Sequence, residues 1–509
     1  MKTNRILKQL HGIDRECCLL EKTAAILHWD QETNLPPEGV EERADQLALI
    51  EGLANERAAD PQIGRLLAEL GSDSANPSGD EALPPAERDF CRAVRRRYDR
   101  AAKLPPGFAA GMARAGSLAQ AVWVRARSTN DFAVFAPFLM TMVDFARKRA
   151  EYWGFAGNAV YDGLLDAHEP GISAEEIAWL FAPLRERLSA LLGRVKTAAG
   201  AEAGRSFLDQ PYDTERQARY SRDLMEQLGF DLRRGRLDSS AHPFTTTLGF
   251  NDIRITTRYA QDNLLSSIFS TIHEMGHAFY EMDISPDLRG TCLAEGVSMG
   301  IHESQSRLWE NVFGRSRAFW EYQFPRLRAV FPEQLRQVSA DAFYRAVNRA
   351  GPSLIRTEAD ELSYSLHVIL RFELERRLFS GSLPVEDLPR VWRQSMKDLV
   401  GIEPETDTLG VLQDVHWSKG SFGYFPSYAL GNLYSLQFLK SLRRDLPDYE
   451  DDIARGSFTA IRRWLRENIY TWGRRLDPAD LLFKVTGEKL SVSPFLEYIE
   501  TKYTALYGL

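Results

Sequence analysis

The chain has 509 residues, with 63 basic side chains against 71 acidic ones and a formal charge of −8. Hydrophobic residues make up 44% and charged residues 26%, the balance of a globular protein long enough to bury a large core without staples. That composition excludes a disordered, collagenous or disulfide-dense chain, and a net negative protein repels nucleic acid unless it carries a concentrated basic face.

The length allows about three domains at roughly 150 residues each, or one large one, and no repeat or shift in composition marks a boundary. The amino-terminal stretch mixes Lys2, Arg5, Lys8, Asp14, Arg15 and Glu16 with scattered apolar positions, so no secretory leader is expected. Helical periodicity then dominates, as in Ala44 to Asn55, Phe135 to Tyr152 and Ile453 to Trp472. Gly71 to Pro85, rich in Gly, Ser, Asp and Pro, reads as a loop between helices. Beyond it, the strongest basic run is Arg92, Arg95, Arg96, Arg97, Arg100 and Lys103. It reads as the solvated side of one helix. Cys17, Cys18, Cys91 and Cys292 show no CxxC pair and no regular spacing, so neither a thiolate zinc site nor a disulfide framework is expected. No run approaches about 18 apolar residues, hence no membrane span, and a reducing cytoplasm is the simplest home.

One short region breaks the helical pattern. Phe244 to Leu248 and Ile253 to Tyr259 are rich in Thr and β-branched residues around a Gly-Phe-Asn-Asp turn, which predicts a β-hairpin. A helix carrying His273-Glu274-Met275-Gly276-His277 follows directly. In this HExxH pattern the two histidines lie about 40° apart on a helical projection, so both imidazoles can reach one zinc ion. Glu274 is offset to the flank, where it can hold the attacking water rather than the metal. Leu265, Ile268, Ile272, Met275 and Phe279 form an apolar stripe within about 80° of arc, and the histidines point away from it.

Two ligands leave a catalytic zinc site incomplete. The next helix offers Glu295, His302, Glu303 and Glu310, with an apolar stripe of Val297, Ile301 and Leu308. Glu303 lies nearly opposite that stripe, beside Arg307 and Glu310, while His302 sits about 100° round from it. The wheel therefore favours Glu303 over Glu310, against the plainer reading of an i,i+4 ion pair with Arg307. Gly296-Val-Ser298-Met-Gly300 fits GxSxG, but no central strand precedes it, so small residues that permit close helix packing are the better reading.

Four further segments fit known patterns: Asp252-Ile-Arg254-Ile-Thr256 (DxRxT), His302-Glu303-Ser304-Gln305 (HESQ), Ile355-Arg356-Thr-Glu-Ala-Asp360 (IRxxAD) and Gly410-Val-Leu-Gln413-Asp414-Val-His416-Trp417 (GxxQDxHW). Trp29 to Thr33 and His242-Pro-Phe-Thr245 have the same character. With these motifs in order, the chain resembles the carboxypeptidase Taq family of zinc metallocarboxypeptidases. The resemblance implies Glu303 as third zinc ligand and a mainly α-helical, two-lobed fold like that of neurolysin and angiotensin-converting enzyme. It further implies a single peptidase domain over residues 1–509 around a deep groove, a homodimer, and removal of single carboxyl-terminal residues with broad specificity.

Chemistry then suggests roles. An exopeptidase must grip a free α-carboxylate, which a guanidinium fork does best. Arg356 is the candidate, against a structural pair with Asp360. Arg254 orients substrate or braces the site from an expected edge strand. His416 and Tyr424, with Tyr428 as rival, can donate to the oxyanion, and His242 touches the substrate terminus or is a buried, hydrogen-bonded histidine. The expected protein is a cytoplasmic carboxypeptidase that uses Zn2+, with Co2+ as a substitute. It acts on peptides with free carboxyl termini, without nucleic-acid or membrane partners. Its alternatives are an endo-acting oligopeptidase on the same scaffold and a non-catalytic helical peptide-binding protein.

Overall fold

Apolar residues at helical spacing fold as expected into helices around one continuous core that runs from Ile6 to Tyr503. The computed structural model describes residues 2–155, 157–198 and 206–509. Local signals set the helix ends. Asp131 caps the Phe132–Trp153 helix by accepting from the Ala133 amide, and Gly154 closes it in the left-handed region. Gly71 to Pro85 is the expected connection between the helices Pro61–Glu69 and Pro85–Ala102. The four cysteines are free. No helix among the described residues is long and apolar enough to cross a membrane.

Two expectations fail. The Pro85–Ala102 helix does not turn a solvated basic face outward. Arg97 pairs with Asp14 and Glu21 at 3.1 and 3.2 Å, and Arg96 and Arg100 share Asp166 at 2.7 Å. Arg92 donates to the Arg475 carbonyl and Lys103 to the Trp153 carbonyl. These long cations tie the helix to its neighbours because acids and carbonyls wait there, which spacing alone does not disclose. Ile453 to Trp472 is likewise not one helix. A short helix Tyr449–Ala454 ends at Gly456 (φ 74°), and a second, Thr459–Asn468, starts anew.

The hairpin is present and belongs to a three-stranded sheet. Strands β1 (Gly235–Ser239), β2 (Thr245–Gly249) and β3 (Asp252–Thr257) lie in the order β1-β3-β2. β2 and β3 are antiparallel, with Thr245 opposite Ile255, and β1 runs parallel to β3. β1 escaped sequence reading because Leu237 is its only large apolar residue. Its presence makes β3 central, so Arg254 does not lie on an edge strand. The sheet packs along the HExxH helix, Leu264–Met282, where Thr245 and Thr247 of β2 touch Glu274 and Glu281.

Candidate active site

The HExxH helix begins at Asn263, whose side chain accepts from the Ser266 amide. Its stripe is buried as expected: Ile268, Ile272, Met275 and Phe279 are all 0% exposed. The opposite face meets the next helix, Met299–Arg307, which starts where the Ser298 hydroxyl accepts from the Ile301 amide. Ser298 is thus a helix cap, not a nucleophile. The two helices approach closely at Gly276, where a Cβ would fall 2.6 Å from Ser306 Cα.

That approach brings three side chains together. Glu303 Oε2 lies 3.6 Å from His273 Nε2 and 3.4 Å from His277 Nε2. One ligand atom from each of these residues falls within 4.8 Å of the others. Tetrahedral ligands at about 2.1 Å from a metal stand about 3.4 Å apart, so the three residues fit a catalytic zinc site with a fourth position left over. The ion pair weighed against this role also exists: Arg307 Nε donates to Glu303 Oε1 at 2.7 Å. It occupies only the outer oxygen and leaves Oε2 facing the histidines.

Each of the three has an outer partner. Glu310 Oε2 is 2.8 Å from His273 Nδ1, and Arg307 and Arg315 in turn hold Glu310. Glu310 is therefore placed behind a histidine rather than with the ligand atoms. It reaches that position because Leu308–Phe313 is a turn of π-helix, which resets the helical wheel after Arg307. His302, too far round the wheel to share a metal with Glu303, bonds His277 instead, Nδ1 to Nδ1 at 2.6 Å.

Glu274 points along the flank. Thr245 Oγ1 donates to its Oε2 at 2.6 Å, and burial pushes its carboxyl above the usual range. A base that must take up and release a proton near neutrality needs such a shift. Thr245 lies inside the quoted His242–Thr245 segment, but nothing in the sequence indicated its contact.

A wall of aromatic and arginine side chains continues from His273, His277 and Glu303. The Arg307 guanidinium lies 4.2 Å from the Tyr364 ring centroid, and Arg356 Nη1 donates to the Tyr364 hydroxyl at 3.1 Å. Arg356 does not pair with Asp360, whose carboxylate instead accepts from the Leu362 and Ser363 amides. Its partner is Asp414: Arg356 Nε and Nη2 donate to Oδ1 at 3.1 and 2.9 Å, while Arg371 Nε donates to Oδ2 at 2.7 Å. Gln413 accepts from both the Arg356 amide and Arg371 Nη2. Two guanidiniums thus share one carboxylate, which they hold well below its usual range against the opposing effect of burial. Arg371, Gln413 and Asp414 received no role from sequence. The last two stand in a quoted motif, and that was the available signal.

His416 Nε2 lies 3.3 Å from the Tyr428 hydroxyl, and burial pushes its imidazole down to about 4, so it is neutral at pH 7. Tyr424 packs edge-on against Tyr428 at 5.2 Å between ring centroids. Burial raises both phenols, Tyr424 to about 12, so both keep a proton to donate. The helix that Tyr424 precedes and Tyr428 stands on, Phe425–Asp445, passes so close to Glu303 that a Cβ on Gly431 would meet its Cγ at 2.7 Å. Arg254 lies apart from this cluster. It grips Asp252 on its own strand at 2.8 and 2.9 Å and stacks over Trp29 at 4.1 Å. His242 is exposed in the connection between β1 and β2, not buried.

Fold and site together define a helical metallopeptidase of the HExxH type. A profile of the carboxypeptidase Taq (M32) metallopeptidases matches residues 9–503, and the chain belongs to that family. Thermostable carboxypeptidase 1 of Thermus thermophilus is 43% identical over 98% of this chain and 99% of its own length. Carboxypeptidase 1 of Bacillus subtilis is 39% identical over 100% of both chains. Among solved structures, an M32 carboxypeptidase from Deinococcus radiodurans superposes with a TM-score of 0.94 at 40% identity, covering 99% of this chain and 100% of that one. The protein is a metal-dependent carboxypeptidase.

Proposed function

We propose that this enzyme removes single residues from the carboxyl termini of peptides, with broad side-chain tolerance, using zinc held by His273, His277 and Glu303. The observation that carries the reading is the charge of the Arg356–Asp414–Arg371 cluster. Arg356 is 6% exposed and Arg371 is 0% exposed, and Asp414 is the carboxylate bonded to both. A buried excess of one positive charge is costly alone, and a substrate's terminal carboxylate would neutralise it.

A zinc ion supplies Lewis acidity toward the scissile carbonyl when bound. The chain's own residues do the rest. Glu274, steadied by Thr245, takes the proton from the attacking water at its free carboxylate oxygen and passes it to the leaving amine. His416 and one of Tyr424 and Tyr428 donate to the developing oxyanion. Arg356 anchors the terminal carboxylate and so selects which peptide bond reaches Glu274, while His242 and Arg254 stand further out, Arg254 as a brace. Cobalt is expected to substitute for zinc, since the donor set of two imidazoles and a carboxylate suits both.

Residues 1–509 are read as one peptidase domain of two lobes about a groove, supported by the continuous core. A cytoplasmic homodimer completes the proposal, consistent with four free cysteines. Mass analysis of products from one free-ended and one carboxyl-amidated peptide, with and without chelator, tests the central reading. Stepwise loss of single residues from the free-ended peptide alone, abolished by chelator, is the expected result.

A further inference from the structure

His277 is held differently from its partner ligand. Behind His273 stands a carboxylate, Glu310, neutralised by two arginines. Behind His277 stands another imidazole. His277 Nδ1 is 2.6 Å from His302 Nδ1, and His302 Nε2 is 2.9 Å from Glu281 Oε1. Glu281 is 8% exposed and also accepts from the Gly296 amide at 3.2 Å and the Thr247 hydroxyl at 3.2 Å. The His302 ring is wedged beside Tyr280, at 5.2 Å between centroids, and against Gly296, where a Cβ would fall 2.6 Å from His302 Cδ2.

We propose that His302 is a positioning residue for the metal ligand His277, which it orients through the His277–His302–Glu281 chain of hydrogen bonds. This rests on the reading of His277 as a ligand through Nε2. Hydrogen-bond arithmetic then fixes every proton. A metal on Nε2 leaves His277 Nδ1 protonated, so it donates. His302 Nδ1 must accept and is bare, so the His302 proton sits on Nε2 and is donated to Glu281. Each link has one donor and one acceptor, and neither ring can flip without breaking two bonds.

The electrostatic reason for an interposed ring is visible in the surroundings. Glu274, Glu303 and Glu310 already stand around the histidines with only Arg307 and Arg315 to offset them, and a fourth carboxylate directly on His277 would add to the repulsion. One imidazole of separation keeps the orienting hydrogen bond and moves the Glu281 charge a ring's width away.

Zinc affinity of the metal-free protein, measured by competition with a chromophoric chelator, tests the hydrogen-bond chain, with the thermal midpoint of the apoprotein as a check on folding. His302→Leu removes the acceptor and is expected to weaken zinc binding roughly 10–100-fold. His302→Asn returns an acceptor oxygen near the Nδ1 position and should stay within a few-fold of wild type. Glu281→Gln keeps an acceptor for His302 Nε2–H and should also stay within a few-fold. A loss at Glu281→Gln as large as at His302→Leu would overturn an orienting role for the chain, because the amide oxygen keeps the hydrogen bond and only the charge is removed. Equal affinity of His302→Leu and wild type would overturn the positioning role altogether. Where His302→Leu does not fold, Gly296→Ala displaces the ring and carries the same comparison. His277→Ala separates the two levels: unchanged affinity there means His277 is not a ligand, whereas its loss with unaffected His302 variants condemns the hydrogen-bond chain alone.

Discussion

The HExxH half and the Arg356 half of the site are built by opposite means. On the metal side, His273, Glu274, His277, Glu281, Glu303, Arg307 and Glu310 all come from two consecutive helices and the π-turn that extends the second. On the other side, Arg356, Tyr364, Arg371, Asp414, His416 and Tyr428 come from two short helical turns, two longer helices and the loops between them. The charges are opposite as well. Four carboxylates surround the histidines against Arg307 and Arg315, a deficit that a dication would fill. Across the Tyr364 ring, two guanidiniums meet one carboxylate, an excess that an anion would fill. Each half is electrostatically incomplete in the sense its ligand would correct.

Removing the dication should break this pairing most completely. Chelation is expected to abolish peptide hydrolysis, with recovery on adding zinc or cobalt. Full turnover in protein shown to be metal-free by elemental analysis would end the metal reading. Next in size is Glu274→Gln, which leaves the ligands in place but removes the proton acceptor. Turnover should fall by roughly 10²–10⁴-fold while bound zinc stays near one per chain. A variant that lost the metal instead would identify Glu274 as a ligand.

Arg356→Ala probes the other half. It should cost on the order of 2–4 kcal/mol of transition-state stabilisation on free-ended peptides and much less on amidated ones. Metal content should not change, because Arg371 still holds Asp414. Comparable losses on both peptides would reduce Arg356 to a structural partner of Asp414.

The smallest expected effect concerns the loop bearing His416. Glu375 accepts from Trp417 Nε1, the Gly423 amide and the Tyr161 hydroxyl, and burial pushes its carboxyl up to about 7. A raised acid is protonated in the folded chain while the unfolded chain ionises. Its stabilising effect is therefore complete below about pH 4.5 and declines toward pH 7, by at most about 1.4 kcal/mol per pH unit. Urea unfolding of wild type and Glu375→Gln between pH 5 and 8 should show wild type losing stability relative to the variant as pH rises toward 7. A constant difference would mean Glu375 is ionised throughout. Asp414 runs the other way. Its depressed pKa contributes stability that is present above about pH 4 and lost as acid protonates it.

Much of the metal half was legible because helical periodicity converts sequence spacing directly into direction. Residues four apart share a face whatever the rest of the chain does, so His273 and His277 were bound to converge and Glu274 to lie beside them. The same logic faltered at Glu310, since a π-turn changes the angle per residue, and the wheel could not foresee it. It could exclude His302 from sharing a metal with Glu303. It could not show that the ring would lie against His277, because that contact depends on how closely two helices pack at Gly276 and Gly296.

The amino-acid sequence by itself determined the helical class, the hairpin beside the active-site helix and the convergent histidines. Those features rest on local periodicity and residue chemistry, which act within a few turns of chain. Only the tertiary structure decided that Arg356 faces Asp414 rather than Asp360, that Arg254 sits on a central strand braced by Asp252 and Trp29, and that the arginines of Pro85–Ala102 turn inward. Each of these is a choice among several chemically acceptable partners. A guanidinium will pair with any carboxylate in reach, and which one is in reach is settled by the packing of residues far apart in the chain.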